Sequence, residues 1–122
     1  MKVRAVGKNV ITKVYDGCAL REEWTSAGAP FAGSSYNAYD RGRGVWHQTW
    51  VDNSGRLLLL EGGLKDGAMV LEGTTVRDDK TVHHRITWTP RDDGKVRQVW
   101  TISQDGATTW KTGFDGLYAR ID

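Results

Sequence analysis

Signals for chain reversal recur at short intervals along this sequence and leave short strand-like segments between them, and this spacing constrains the fold more than any other feature. Most of the signals combine Asp or Asn with Gly. Asp and Asn tolerate left-handed backbone conformations and Gly adopts positive φ freely, so such clusters reverse the chain. The turn signals lie at residues 15–17, 40–44, 52–55, 65–67, 77–80, 91–94 and 104–106.

The segments between these turns are rich in Val, Ile, Thr, Trp and Tyr, which favour β-strands. None of them shows a sustained apolar period of ~3.6 residues, so we expect very little helix. Short strands at this spacing are typical of sandwiches and barrels, and closure favours a barrel because it removes exposed strand edges. The sequence therefore predicts an all-β, antiparallel up-and-down barrel of about nine to ten short strands. The candidate strands are residues 2–6, 8–14, 18–25, 33–39, 44–51, 56–62, 68–76, 81–89, 95–103 and 109–114.

Composition narrows the class of protein further. A chain of 122 residues suits a single domain, here residues 1–122, and a 39% hydrophobic fraction with six tryptophans excludes disorder. The net charge of +2 is small and scattered, and no apolar run approaches the ~20 residues of a membrane helix. We expect neither nucleic acid nor membrane as a partner. No signal peptide is recognised, so we expect a cytoplasmic location. Cys18 is the only cysteine and is interpreted as a small buried residue.

Alternation along the candidate strands indicates which residues face inward. Trp46, Gln48 and Trp50 share one face of their strand, as do His84 and Trp88, because strand side chains alternate. The opposite faces carry most of the arginines and threonines, as a solvated exterior would. We therefore place the tryptophans inside the barrel. The predicted ligand-binding residues are Glu22, Trp24, Trp46, Gln48, Trp50, Met69, His84, Trp88, Gln98 and Trp100.

Four of these inward positions are polar: Glu22, Gln48, His84 and Gln98. Leaving a buried polar group unpaired costs about 1–3 kcal/mol, so each of them needs a partner. Two interpretations stay open. The four groups satisfy one another inside a filled barrel, or they line a cavity that accepts a small molecule.

Many short blocks of this sequence, in order, resemble a bacterial family of uncharacterised proteins with a lipocalin-like (calycin-type) β-barrel. The resemblance implies that fold and names no activity. A more distant similarity connects the chain to nitrobindin, a haem-binding barrel, but no proximal histidine can be assigned and His83 and His84 point to opposite faces. We therefore predict neither a metal nor a cofactor. The matching segments are residues 17–24, 36–40, 46–52, 60–63, 84–90, 97–100 and 114–118.

Members of that family begin with a tryptophan-rich first strand, whereas this chain begins with residues 1–4 where such a strand would end. We therefore expect a barrel that need not close within one chain. Open strand edges recruit other strands, so we predict a homodimer through the sheet edges.

Three functions remain open. The first is binding of an apolar or aromatic, partly polar small molecule, with tryptophans stacking on it and the polar groups orienting it. The second is an enzyme of the isomerase, cyclase or hydrolase type in the same cavity, with Glu22 and His84 as the candidate acid–base residues; on balance we favour binding over catalysis. The third is a filled barrel acting as an assembly module. The pair Gly62-Gly63 is interpreted as a strand bulge or bend, because it lacks the features of a phosphate loop.

Overall fold

The computed structural model describes residues 6–120 as an antiparallel β-meander without helices. The strand order in the sheet is the sequence order, with β1 and β9 at its two ends. This confirms the predicted all-β fold class with an incompletely closed strand order. Within residues 6–120, no helix is long and apolar enough to cross a membrane. The strands are β1 (Gly7–Val14), β2 (Ala19–Ser26), β3 (Ala32–Asp40), β4 (Val45–Asp52), β5 (Leu57–Lys65), β6 (Ala68–Arg77), β7 (Lys80–Pro90), β8 (Val96–Ser103) and β9 (Lys111–Tyr118).

Nine of the ten predicted strands correspond to these elements within a few residues at each end. The tenth, predicted at 2–6, falls almost wholly outside the described residues. The turns between strands form where the Asp and Gly clusters predicted them. Asp66 and Gly67 connect β5 to β6 with φ of 52° and 82°, and Asp78 and Asp79 connect β6 to β7 with φ of 51° and 62°. Two consecutive positive φ angles are typical of type I′ turns, whose twist matches the right-handed twist of the flanking strands.

The chain divides into two compact units, Met1–Leu59 and Leu60–Asp122. In the first unit, the buried residues of β1–β4 are Ser35 and Gln48, both polar and only 1% and 4% exposed, and Leu58 at the start of β5 is buried as well. In the second unit the buried residues are mainly apolar: Leu60, Leu71, Val82 and Ile86, together with the polar His84 and Ser103. The strands β1–β4 thus bury polar side chains, whereas the second unit buries mainly apolar ones.

Burial confirms the predicted alternation on β7, where Val82, His84 and Ile86 are buried and the residues between them are half-buried. On β4 Gln48 is buried, but the tryptophans on its face are half-buried like His47 and Thr49 on the opposite face. The prediction for Cys18 is wrong: Cys18 is exposed because it ends the turn that precedes β2 instead of lying within the strand.

The Gly62-Gly63 pair lies in β5 and has a different role there from the one that the sequence predicted. Both glycines continue a regular register with β6, Gly62 opposite Leu71 and Gly63 opposite Val70, so of the predicted bulge or bend the bulge is wrong. A Cβ atom on Gly62 would lie 2.0 Å from the carbonyl oxygen of Val70. Gly62 is therefore required because the β6 backbone approaches β5 closely at this point.

Candidate functional site

The first unit carries a polar cluster centred on the carboxylate of Glu22, in the middle of β2. Glu22 Oε2 accepts a hydrogen bond of 2.8 Å from the Asn9 amide on β1. Its Oε1 accepts one of 2.8 Å from the Ser35 hydroxyl on β3 and a longer one of 3.5 Å from the Gln48 amide on β4. Each of the four strands thus contributes one side chain.

The hydroxyl of Ser35 connects this cluster to the next residue along β3. While donating to Glu22, Ser35 Oγ accepts hydrogen bonds from the side-chain amides of Asn37, at 2.9 Å, and Gln48, at 3.3 Å. Register explains the contacts, since Ser35 lies opposite Glu22 and Gln48 lies opposite Asn37. Ser35 is therefore fully used as donor and acceptor, which accounts for its complete burial.

Two tryptophans flank the cluster, each lying over a glycine. The ring of Trp24 covers Gly7 and the ring of Trp50 covers Gly33, so close that a Cβ at either glycine would lie 2.3 Å from the indole. The indole N–H of Trp50 also donates to Asp52 at 2.8 Å, which fixes the orientation of this ring.

Hydrogen bonds also lower the pKa of the Asp52 carboxyl group. Burial alone would raise the pKa of Asp52, but hydrogen bonds from Ser54 and Trp50 outweigh it and hold the pKa below its ordinary value. A carboxylate that stays ionised is a stronger acceptor for the indole N–H. Asp52 is therefore a fixed anchor for the Trp50 ring.

We call this surface the carboxylate face. Its side chains alternate along the four strands with those of the opposite face, so they share one side of the sheet. The carboxylate face comprises Gly7, Asn9, Glu22, Trp24, Gly33, Ser35, Asn37, Trp46, Gln48 and Trp50.

The carboxylate face carries a negative charge that has no positively charged partner among residues 6–120. The hydrogen-bond partners of Glu22 there are neutral amides and a hydroxyl, and Glu22 belongs to none of the ion pairs in that part of the chain. Asn9 Oδ1 is shielded from water and has no hydrogen-bond partner there. The face thus combines a negative charge with an unused acceptor.

The second unit holds His84 through both ring nitrogens. The indole N–H of Trp100 lies 3.2 Å from His84 Nδ1, and the hydroxyl of Thr75 lies 2.8 Å from Nε2. An indole N–H can only donate, so Nδ1 must be the unprotonated nitrogen and Nε2 carries the proton of a neutral ring. His84, 5% exposed, is therefore fixed in one tautomer by neighbours on β6 and β8.

The remaining predicted residues of the second unit lie side by side across three strands. Met69 is opposite Trp88, and Trp88 is opposite Gln98. Gln98 Oε1 is buried without a hydrogen-bond partner in the described part of the chain. The sixth tryptophan, Trp110, was not in the predicted set and packs under the Arg85 guanidinium, 4.3 Å from the ring centroid.

The structure thus groups the predicted site residues by unit. In the first unit Glu22 contacts Gln48, Trp24 and Trp50 flank them, and Trp46 lies 5.5 Å from Tyr39 between ring centroids. Because Glu22 and His84 belong to different units, their acid–base pairing stays a prediction. Sequence reasoning missed Asn9, Ser35 and Asn37. The signal available for Ser35 and Asn37 was their spacing of two residues within one predicted strand, but small polar residues at such positions are common. No comparable signal marks Asn9.

No group of three or more His, Cys, Asp or Glu side chains in residues 6–120 is placed to hold a metal ion. Comparisons with protein-family models, curated proteins and solved structures find no match to this chain. The resemblance to lipocalin-like proteins and the cytoplasmic location therefore stay predictions.

Proposed function

We propose that the protein binds a small organic molecule, flat and partly polar, against the carboxylate face. The observation that carries this proposal is the reversal of normal burial in β1–β4, where the buried residues are Ser35 and Gln48. A sheet selected only for stability buries apolar side chains there, because buried polar groups contribute little net stability even when paired.

The tryptophans support binding because their rings are already held in place. Trp24 and Trp50 are half-buried, so part of each ring is available to a ligand. The Trp50 ring packs over Gly33, and its N–H donates to Asp52. A ring that is ordered before binding loses little conformational entropy when a flat ligand stacks on it.

Binding is favoured over catalysis by the surroundings of His84. Both of its ring nitrogens are engaged by Thr75 and Trp100, so acid–base chemistry at His84 would require breaking one of these bonds. We therefore interpret His84 as a structural residue of the second unit and assign no reaction to the protein.

Quenching of tryptophan fluorescence tests the proposal, with acridine and 2-naphthol as flat probes. We expect saturable binding, weakened about two- to tenfold by Trp24→Phe or Trp50→Phe, because an aromatic contact contributes roughly 0.5–1.5 kcal/mol. The matched control is Trp110→Phe, which alters a ring outside the carboxylate face and should leave the affinity unchanged.

Two results would count against binding at the carboxylate face. The first is no saturable quenching or binding heat for either probe up to millimolar concentration. The second is an equal loss of affinity in all three variants, which would separate the binding from the carboxylate face and favour a filled, structural polar network.

A further inference from the structure

We infer that the ligand of the carboxylate face is an organic cation that carries N–H donors on an aromatic body, such as an arylalkyl ammonium or an amidinium. This inference rests on the proposed function and adds the chemical class of the ligand. It follows from the charge of Glu22, the unused acceptors beside it and the nature of the flanking rings.

The carboxylate of Glu22 gives the carboxylate face a negative charge. Both oxygens of Glu22 accept hydrogen bonds, as an ionised carboxylate does, and the donors are the neutral groups of Asn9, Ser35 and Gln48. Partly buried charges in proteins are normally paired with an opposite charge. Among residues 6–120 the guanidinium nearest in sequence, Arg21, pairs with Glu23 instead, at 3.6 Å. A cationic ligand would supply the missing positive charge.

The carboxylate face also has unused hydrogen-bond acceptors. Glu22 Oε2 accepts one hydrogen bond, from Asn9, and a carboxylate oxygen has room for two. The same Asn9 amide that donates this bond carries Oδ1, the shielded oxygen without a partner in the described chain. Two unused acceptor positions therefore lie on adjacent groups. A ligand with at least two N–H donors matches this pair once it displaces the groups that shield Asn9 Oδ1 from water, whereas a carbonyl or an ether does not.

The two tryptophan rings on this face also favour a cation. Tryptophan has the strongest attraction for cations among aromatic side chains, and this attraction grows when water is partly excluded. Trp24 and Trp50 flank the carboxylate and also offer flat surfaces on which an aromatic body can stack. An anionic ligand would meet the carboxylate, the amide oxygen and the negative ring faces together, and each of these repels it.

Calorimetry with three probes of one shape tests the inference: 2-naphthylmethylamine, 2-naphthylmethanol and 2-naphthoate. We expect the amine, which is a cation at pH 7, to bind at least about tenfold more tightly than the alcohol, and the anion to bind most weakly. The trimethylated amine keeps the charge but loses the N–H donors, so it should bind about three- to tenfold more weakly than the primary amine.

Two variants assign the preference to one carboxylate. Glu22→Gln removes the charge and should reduce the affinity for the amine to that for the alcohol. Glu23→Gln, at the adjacent exposed residue on the opposite face, should leave both affinities unchanged. Because Glu22→Gln can disturb the cluster that it belongs to, the wild-type protein provides a second measurement: affinity for the amine, but not for the alcohol, should fall as ionic strength rises.

The outcomes separate this inference from the proposed function. Equal binding of the amine and the alcohol, with no dependence on salt, overturns the cationic ligand class but leaves small-molecule binding intact. Absence of binding by all the naphthyl probes overturns both.

Discussion

The imidazole of His84 is held in one tautomer because its two neighbours make different demands. Trp100 can only donate, so it requires a lone pair on Nδ1, and Thr75 then accepts from Nε2–H. These two hydrogen bonds engage both nitrogens of an imidazole that is buried on the same face of β7 as Val82 and Ile86. It is a property of three strands together rather than of the histidine alone.

Thr75→Val tests this arrangement with an almost unchanged shape. It leaves the Nε2–H of a buried imidazole without its acceptor, so we expect a loss of about 1–3 kcal/mol in the free energy of unfolding, measured by urea denaturation. Thr74→Val is the matched control, because Thr74 is exposed and points to the other face. A loss of similar size in both variants would contradict the role given to the Thr75 hydroxyl.

Gly62 and Gly63 allow a second paired test. A Cβ at Gly62 would meet backbone atoms of Val70 and Leu71, which can move only if β5 and β6 separate. We expect Gly62→Ala to cost about 1–3 kcal/mol or more, as overpacking does. Gly63→Ala meets nothing within 4 Å and should be neutral or slightly stabilising, since it restricts the unfolded chain. Equal unfolding midpoints for the two variants would show that the close approach does not matter.

Asp105 organises the connection between β8 and β9. Its carboxylate accepts hydrogen bonds from the side chain and backbone of Thr109, the Ser103 hydroxyl and the backbone N–H of Thr108. These bonds, those from Thr109 first, hold the pKa of Asp105 far below its ordinary value of 3.8. The loop therefore depends on an ionised carboxylate, and Ala107 within it adopts a φ of 68°.

The pH dependence of stability follows from that lowered pKa. A carboxyl group whose pKa is lower in the folded state stabilises the protein above the unfolded pKa, and the stabilisation is lost as the pH falls from about 5 towards the folded pKa. We expect Thr109→Val to lower the melting temperature at pH 7 and to flatten its decline between pH 5 and pH 2. Thr108→Val keeps the backbone donor and should retain the wild-type profile; identical profiles for all three proteins would argue against this role of the loop.

At the scale of elements, β5 shows how one strand divides a uniform apolar run. The four leucines 57–60 alternate, with Leu58 and Leu60 only 3% and 0% exposed while Leu59 is 47% exposed. Alternation along an extended backbone places neighbouring leucines on opposite faces of the sheet. The sequence run alone, without its strand, does not show which two leucines are inside.

Leu60→Ala and Leu59→Ala make this division measurable. We expect Leu60→Ala to reduce the free energy of unfolding by about 2–5 kcal/mol, because it leaves a cavity at a fully buried site. Leu59→Ala should cost less than about 1 kcal/mol, since the side chain is already half in water. Denaturant titrations of the two variants would contradict the assigned faces if the losses were similar or reversed.

At the scale of the whole molecule, β1 and β9 end the strand order, so neither has a second neighbouring strand among residues 6–120. The homodimer predicted from the sequence depends on such edges and stays a prediction. Light scattering on a size-exclusion column at tens of micromolar should give twice the mass of one 13.6 kDa chain. A strict monomer at that concentration would contradict edge pairing.

The sequence predicted most of the fold because the signals that define it are local. Paired glycines and aspartates mark turns such as Asp66-Gly67, and alternation identifies the buried faces around Gln48 and His84. It predicted Glu22 and the tryptophans of the candidate site for the same reason. Asn9 and Ser35 were missed, because nothing within either strand shows that its polar side chain meets a carboxylate on the next one.

The set of strands, the positions of their turns and the alternation of their faces therefore follow from the sequence, because each of them depends on neighbouring residues. Which side chains meet follows from the way the strands pair: this pairing produces the four-strand cluster around Glu22, the tautomer of His84 and the close approach at Gly62. Strand register accounts for this difference. A shift of one residue between paired strands leaves each local signal unchanged but moves every side chain to the other face.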